Sequence, residues 1–277
     1  MAELPDSFVT ARRNSSRSRC SPRSSAVERE RSRHTRTANQ EPIGNTTVAI
    51  TAMVTTKKAI MKVTTRVAAA VRPATVSLIA TALFAILLVL VLTAWSPLMT
   101  ADIAVLNGLH AHALKHPAFV ATMKTISNAG SAPVYTVLFT GITAWLLYRR
   151  RFRQATFVAV AEIGGGLLNS LLKFLVHRPR PLVLDPVAQA SGLSFPSGHA
   201  QSAAVAATVL LVVFAGELNR AGRFASYYLA VLAVGFVGFS RVALSVHYVS
   251  DVLAGFCAGI AWATCVLILT DRAWAGR

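Results

Sequence analysis

Apolar runs long enough to cross a lipid bilayer restrict the fold of this chain more than any other feature. A transmembrane helix needs about 20 apolar residues, and residues 75–96 form such a run around the uncharged apolar stretch 83–92. Comparable runs recur through the C-terminal half. Together with 54% hydrophobic residues and a mean hydropathy of +0.52, they argue against a water-soluble domain.

The runs predict an all-α polytopic membrane protein, a bundle of six transmembrane helices. We assign the bundle to a membrane domain of residues 73–277. Its predicted helices cover residues 75–96, 132–148, 154–176, 198–216, 224–242 and 248–270. Residues 101–130 mix charged and apolar residues, which predicts one or two amphipathic helices at the membrane surface.

Residues 1–72 form a basic segment of different composition. They carry 14 of the 28 Lys and Arg residues and 5 of the 11 acidic residues, a net charge of +9. Because they are rich in Arg and Ser and hold too little apolar material for a core, they are predicted to be a disordered tail. A targeting peptide, or a true start of translation at Met53 or Met61, are the alternatives. Since the tail directly precedes a membrane segment, its charge is interpreted as fixing orientation, and no nucleic-acid partner is expected.

The distribution of basic residues predicts the orientation of the helices. Cytoplasmic loops of membrane proteins are enriched in Lys and Arg, and six crossings with a cytoplasmic N-terminus bring most basic loop residues to that side. They are Arg149, Arg150, Arg151, Arg153, Arg220, Arg223, Arg272 and Arg277. Four cations fall on the opposite, extracytoplasmic side: Lys173, Arg178, Arg180 and Arg241. Charges at that position are costly without a partner, so they indicate a binding site. The predicted location is the plasma membrane.

Eight residues near these extracytoplasmic helix ends are the candidate site residues. They are Lys173, Arg180, Ser197, Gly198, His199, Arg241, His247 and Asp251. Arg and Lys side chains bind the oxygens of a phosphoryl group. The predicted helix start at residues 197–199 offers free backbone N–H groups, which also bind anions. The set therefore predicts a site for a phosphate group.

The spacing of His247 and Asp251 predicts nucleophilic catalysis by an imidazole. Residues four apart share a helix face, so the carboxylate can accept the Nδ1 proton and leave Nε2 unprotonated toward the substrate. His199 then acts as general acid, and afterwards as base when water cleaves the phosphohistidine intermediate. Glu162 is expected to hydrogen-bond within the bundle or, less favoured, to tune the site.

No metal ion or other cofactor is predicted. The sequence holds no carboxylate cluster suited to Mg²⁺ or Zn²⁺. Three histidines, His110, His112 and His116, lie close together in sequence without a nearby carboxylate or cysteine. We interpret them as solvated histidines at the membrane interface.

The eight candidate site residues fall into three clusters along the sequence. These clusters resemble the motifs of the type 2 phosphatidic acid phosphatase superfamily, which also includes vanadium haloperoxidases and glucose-6-phosphatase. The matching segments are Lys173-x6-Arg180-Pro181, Pro196-Ser197-Gly198-His199 and Ser240-Arg241-x5-His247-x3-Asp251. The resemblance covers residues 173–251. It implies a six-helix bundle with its site facing outward, and cations, Ser197 and Gly198 on phosphate. It also implies His199 as acid and base, and His247 as a nucleophile oriented by Asp251.

This resemblance implies a lipid phosphate phosphatase that works in the membrane. By analogy, undecaprenyl diphosphate or a similar polyprenyl carrier is favoured over phosphatidate and phosphatidylglycerol phosphate. Two alternatives remain: a lipid phosphotransferase on the same scaffold, and a non-catalytic protein that binds or transports anionic lipids. The expected partners are a lipid phosphate substrate and the membrane, and the oligomeric state is left open.

Overall fold

The computed structural model describes residues 73–275 of the chain. The predicted disordered tail, residues 1–72, lies outside the described residues, as does Arg277. Within the described range the regular structure is helical. The helices are α1 (Pro73–Leu92), α2 (Ser96–Lys115), α3 (Pro117–Ala129), α4 (Ala132–Tyr148), α5 (Phe152–Val176), α6 (Gly198–Phe214), α7 (Arg220–Ala243) and α8 (Val249–Ala275). A short 3₁₀ turn, Ala215–Glu217, follows α6.

Proline and asparagine define several of the helix starts. Proline occupies one of the first two positions of α2, α3 and α4, where its missing N–H and fixed φ cost nothing. Asn219 caps α7 by accepting a hydrogen bond from the Gly222 N–H at 2.8 Å. At the end of α5, His177 adopts a left-handed conformation with φ of 51°, and prolines keep the following residues out of a helix.

Six helical segments of the described chain are long and apolar enough to cross a membrane, which confirms the predicted six-span, all-α fold. One of them, Pro117–Tyr148, runs through both α3 and α4. Of the residues 101–130 that were predicted to form surface helices, α3 therefore belongs to a candidate span, whereas α2 belongs to none. Its Met123 packs against Ala243, Leu244 and Val246 beyond the end of α7.

The contact between α6 and α8 forms the centre of the bundle. Small residues line it, so the two backbones approach closely. A methyl group added at Gly255 would lie 2.6 Å from the carbonyl oxygen of Ser197, and one at Gly259 would lie 2.5 Å from that of Gln201. The start of α6 is thereby held against the first turns of α8.

Ion pairs join the basic end of the bundle. Arg151 pairs with Glu217 at 2.7 Å, and Arg153 pairs with Asp271, which links the start of α5 to the ends of α6 and α8. The opposite end of the bundle therefore contains the end of α5, the start of α6, the end of α7 and the start of α8. The eight candidate site residues lie at this end.

Candidate active site

The three sequence clusters meet at the end of the bundle opposite the basic residues. The backbone N–H of Ser197, before α6, donates to the carbonyl oxygen of Asp251 in α8 at 2.9 Å. Arg180, in the loop after α5, donates from Nη1 to the imidazole Nε2 of His247 at 3.1 Å and to the carbonyl oxygen of Val246 at 2.8 Å. These contacts join residues that lie up to 67 positions apart in sequence.

The contact with Arg180 defines the tautomer of His247. A guanidinium only donates hydrogen bonds, so Nε2 of His247 accepts and its proton resides on Nδ1. The Nδ1 atom lies 3.5 Å from Oδ2 of Asp251 and 3.3 Å from Oγ of Ser194. An unprotonated Nε2 is the form in which an imidazole acts as a nucleophile.

Ser194 connects His247 to Asp251. Its hydroxyl donates to Oδ2 of Asp251 and is left with a lone pair that can accept from Nδ1 of His247. The same Oδ2 also accepts from the backbone N–H of Tyr248 at 2.9 Å, as a helix-capping carboxylate does. Asp251 is thus fixed both by the start of α8 and by Ser194.

Two buried polar atoms beside this pair have no hydrogen-bond partner in the described part of the chain. They are the hydroxyl oxygen of Ser197 and Nε of Arg241. Arg241 is held by a hydrogen bond from Nη1 to Ser127 of α3. Because unpaired buried polar groups are costly, both atoms are suited to an anionic ligand, and the first N–H groups of α6 add to the same site.

Lys173 and His199 complete the cluster. Lys173 donates from Nζ to the carbonyl oxygen of Leu193 at 2.6 Å. Charges of Arg180, Asp251 and Arg241 act on Lys173, and those of Arg241, His247, Arg180 and Lys173 act on His199. The structure therefore brings all eight sequence-predicted residues together, with His199 facing a predominantly cationic environment.

Gly198 lies over a buried amide network. A methyl group added at Gly198 would lie 3.1 Å from Oδ1 of Asn169, which leaves little room for any larger residue. Asn169 donates to Oε1 of Gln201 at 2.9 Å, and Gln201 donates to the carbonyl oxygen of Gly165 at 2.7 Å. These side-chain hydrogen bonds thus fix the first turn of α6 to α5.

The electrostatics of the loop residues agree with this geometry. Burial lowers the pKa of His247 to about 4, although the hydrogen bond and charge of Asp251 raise it. Arg180 and Arg241 add to the lowering through their positive charges. Burial also lowers the pKa of Arg180, while Asp251 raises it. His247 is therefore neutral near pH 7, with Nε2 free of a proton.

Sequence reasoning missed several residues of the site. Arg178, one of the four cations that indicated a binding site, donates to Asp251 at 2.6 Å and to Asp102 at 2.9 Å and so belongs to an ion-pair network. Asp102 itself was not singled out, although it is the single acidic residue between positions 73 and 161, a signal that could have identified it. Ser194 and Ser127 carry no comparable signal in the sequence.

A second departure concerns the histidines of α2. His112 and His116 are exposed, as predicted, and their rings stack at 4.0 Å. His110 instead contacts Oγ of Ser245 at 3.1 Å and the carbonyl oxygen of Leu184 at 2.8 Å. It thereby ties the loop before α6 to the loop that carries His247.

Two cavities in the described part of the chain differ in character. One, of about 610 Å³, adjoins Arg180 and is lined by the polar side chains of Gln189, Ser191 and Ser245 together with apolar residues. The other, of about 590 Å³, is lined in part by Glu162 and lies between α4, α5 and α6. Glu162 is thus in a cleft within the bundle. Among residues 73–275, no three His, Cys, Asp or Glu side chains are grouped so as to hold a metal ion.

Comparison with known proteins shows clear similarity. The family model described as the PAP2 superfamily matches residues 154–275, which include all eight candidate residues. Phosphatidylglycerophosphatase B of Bacillus subtilis is 32% identical over 150 residues, 53% of this chain and 73% of the relative. Decaprenylphosphoryl-5-phosphoribose phosphatase of Mycobacterium tuberculosis is 30% identical over 161 residues, 57% of this chain and 84% of the relative.

A solved structure is similar to the helical bundle as well. It is the crystal structure of a transmembrane PAP2 type phosphatidylglycerolphosphate phosphatase from Bacillus subtilis. The match has a TM-score of 0.60 at 28% identity and covers 70% of this chain and 96% of the crystallised one.

Proposed function

The chain belongs to the PAP2 superfamily, and we propose that it is an integral membrane phosphatase that removes a phosphate group from a lipid head group through a phosphohistidine intermediate. The observation that carries the proposal is the unprotonated Nε2 of His247, surrounded by phosphate-binding groups. Arg180 donates to this atom at 3.1 Å, and two buried donors, Ser197 Oγ and Arg241 Nε, lack partners among the described residues.

The proposed first step is attack by Nε2 of His247 on phosphorus. Its lone pair forms the P–N bond while the bond from phosphorus to the leaving oxygen breaks, and His199 gives that oxygen a proton. The proton stays on Nδ1 of His247, and the Asp251 carboxylate that faces it stabilises the positive charge that the ring gains. The negative charge of the bound phosphate offsets the cations around His199 and thereby helps it to hold the proton that it donates.

The proposed second step is hydrolysis of the intermediate. His199 takes a proton from water, the water oxygen bonds to phosphorus, and the P–N bond returns its electron pair to Nε2. The products are an alcohol and inorganic phosphate. Lys173, Arg180 and Arg241 stabilise the charge on the phosphoryl oxygens during both steps, as cationic clamps do in other phosphoryl transfers.

A lipid substrate is supported by the position of the cluster at the helix ends. The loop beside it exposes Leu182 and Leu184, which are 97% and 88% exposed. Apolar side chains at a membrane interface gain by entering the lipid. A substrate whose tail stays in the bilayer can then present its phosphate to Arg180 without leaving the membrane.

Within the lipid class, we propose a phosphomonoester on a hydroxylated head group. The cavity beside Arg180 offers the hydrogen-bonding side chains of Gln189 and Ser191, which suit hydroxyl groups. The names of both relatives include a phosphate on a glycerol or ribose unit of a lipid. The preference for undecaprenyl diphosphate rests on analogy alone, so that lipid serves as the comparison substrate.

The proposed orientation follows from the charges. Arg151 and Arg153 lie at one end of the bundle with their partners Glu217 and Asp271, and such basic ends favour the cytoplasm. The N-terminus would then be cytoplasmic, and the site would face the extracytoplasmic side of the plasma membrane.

The test is phosphate release by the purified protein in detergent with EDTA present. The panel contains phosphatidylglycerol phosphate, undecaprenyl diphosphate, phosphatidate and a soluble phosphomonoester. We expect release to be fastest from phosphatidylglycerol phosphate and absent in His247→Ala, while His112→Ala, an exposed histidine outside the site, keeps full activity.

Other outcomes point to other functions. Release that survives in His247→Ala would remove the nucleophile assignment, and loss of activity in EDTA would indicate a required metal. Release that needs an added lipid acceptor would indicate a phosphotransferase. Binding of the lipids without release would indicate a binding or transport protein.

A further inference from the structure

A buried ion-pair network connects α2 to Asp251. Nη2 of Arg178 donates to Oδ2 of Asp102 at 2.9 Å, and Nη1 donates to Oδ1 of Asp251 at 2.6 Å. The side chain of Arg178 is 9% exposed, and those of Asp102 and Asp251 are 2% and 0% exposed. One guanidinium thus bridges two carboxylates away from water, and its planar fork is suited to two partners at once.

Ser250 closes this network. Its hydroxyl accepts from Nη1 of Arg178 at 2.7 Å and donates to Oδ2 of Asp102. Its backbone N–H, in the first turn of α8, donates to Oδ1 of Asp102 at 3.0 Å. Asp102 therefore satisfies the start of α8 from a different helix, as a capping carboxylate does.

The network divides the two oxygens of Asp251 between different partners. Oδ1 accepts from Arg178, whereas Oδ2 accepts from Ser194 and the Tyr248 N–H and faces Nδ1 of His247. The guanidinium also lies 4.3 Å from the ring of Tyr248, the residue after His247. Rotation of the carboxylate would break its bond to Arg178.

We propose that Arg178 and Asp102 are positioning residues of the phosphatase reaction, which hold Asp251 in register with His247 through their shared guanidinium bridge. The proposal rests on the proposed function, because it gives His247 the role of nucleophile. Neither residue touches the phosphate in this arrangement. Asp102 holds Arg178, Arg178 holds Asp251, and Asp251 holds the imidazole.

The charge balance explains why the bridge has two carboxylates. Asp102 and Asp251 carry two negative charges against one positive charge on Arg178, so the network keeps a net negative charge. When phosphorus bonds to Nε2, the imidazole of His247 becomes positive and balances that charge. A single Arg178–Asp251 pair would be neutral and would stabilise the positive ring less.

A purely structural role for the network makes a different prediction from a positioning role. Breaking a buried ion pair lowers stability in either case. If the network positions Asp251, its variants also shift the protonation midpoint of His247. The direction of that shift depends on whether a positive or a negative charge is removed. The charged or titratable groups that face His247 are Asp251, Arg180, Arg241 and His199, and all four stay unchanged in the variants.

The experiment compares Arg178→Gln with Asp102→Asn. In Arg178→Gln the guanidinium no longer offsets the negative charge of Asp251. That charge then stabilises the protonated ring of His247 more, and the midpoint should rise. In Asp102→Asn the guanidinium interacts with Asp251 as its single carboxylate partner and offsets more of its charge, so the midpoint should fall. We expect shifts of about 0.5 pH unit or more in opposite directions, seen in ¹⁵N-histidine NMR and in the acid limb of kcat/KM. Substrate ionisation is common to all variants and cancels in the comparison.

One further variant, Arg178→Lys, and control variants of an ion pair far from the site complete the experiment. Lysine keeps the charge but cannot bridge both carboxylates, so we expect a folded protein with an unchanged midpoint, unchanged KM and kcat lowered about 10- to 100-fold, as for other outer partners of imidazoles. Arg153→Gln and Asp271→Asn break an exposed Arg–Asp pair at the other end of the bundle and should leave kcat and the midpoint unchanged.

Two results would overturn the proposal. One is a loss of stability or kcat in Arg178→Gln and Asp102→Asn with no movement of the His247 midpoint in either variant. The other is full kcat in Arg178→Lys, which also decides the matter if the neutral variants fail to fold. The NMR midpoints need no turnover, so opposite shifts in a protein that releases no phosphate would reject the proposed function and keep the network's link to His247.

Discussion

The protonation of His247 is the residue property on which the proposed attack depends. Burial lowers its pKa to about 4, whereas a solvated histidine titrates near about 6.5. Because the folded state disfavours the protonated ring, Nε2 should stay free as pH falls through 6.5 and gain a proton only toward pH 4. We expect ¹⁵N-histidine NMR of the purified protein to show this low midpoint with the proton on Nδ1.

The signal of His247 is assigned by its loss in His247→Ala. A His247 midpoint near about 6.5, the value typical of a solvated histidine, or a proton on Nε2 at neutral pH, would contradict the geometry around Arg180.

At the residue scale, the sequence identifies groups whose chemistry is unusual for their position and misses those that act through geometry. Lys173 and His247 are rare residue types at predicted helix ends, so they could be recognised from sequence. Ser194 is an ordinary loop residue, and its bond to Asp251 depends on how the loop folds back over the site. The role of Arg178 was misjudged because its partner Asp102 lies 76 residues earlier in sequence.

At the scale of helices, the close contact between α6 and α8 sets the distance between the start of α6, the proposed phosphate-binding turn, and Asp251. A methyl group in Gly255→Ala would meet the carbonyl oxygen of Ser197 at 2.6 Å and Cβ of Ala200 at 2.9 Å. The helices must then separate, and we expect a loss of about 1–3 kcal/mol in the free energy of unfolding. Activity should fall with it, because the start of α6 moves away from Asp251.

Gly235→Ala is the matched control for this prediction. Gly235 lies within α7, and no atom comes within 4 Å of an added methyl group, so the free energy of unfolding should not fall and phosphate release should match the unsubstituted protein. Thermal unfolding in detergent and phosphate release are measured for both variants. Equal behaviour of the two would show that the close contact at Gly255 is not needed.

The helices themselves could be predicted from apolar length, but their packing could not. The predicted helix of residues 154–176 and the observed Phe152–Val176 nearly coincide, because arginines and a proline-rich loop delimit that run. The segment Pro117–Ala129 was predicted at the membrane surface because its lysine and polar residues dilute its apolar content. In the structure it packs against α7 and supplies Ser127 to Arg241, a contact that local hydropathy does not contain.

At the scale of the whole molecule, the two ends of the bundle have different chemistry. One end holds paired surface charges such as Arg151 with Glu217, which contribute little to stability but favour the cytoplasm. The other end holds buried Arg241 and half-buried Lys173 and Arg180, which lie around His247. A hydrolysis site at an outer membrane surface fits substrates that reach that leaflet, so the function depends on which end faces outward.

The orientation can be tested by cysteine labelling in intact cells. The natural cysteines are first replaced in Cys20→Ser, Cys257→Ala and Cys265→Ala. Single probes are then introduced by Asp185→Cys, in the loop beside the site, and by Arg220→Cys, at the start of α7 on the basic end. Both positions are exposed, so each thiol is accessible from its own side of the membrane.

We expect a membrane-impermeant maleimide to label the Asp185→Cys protein in intact cells and the Arg220→Cys protein only after permeabilisation. The physical reason is the excess of arginine at the Arg220 end, which is retained in the cytoplasm during insertion. Phosphate release by each variant shows that the labelled protein is folded. The reverse pattern would put His247 on the cytoplasmic side, and the substrate would then have to be a lipid phosphate of the inner leaflet.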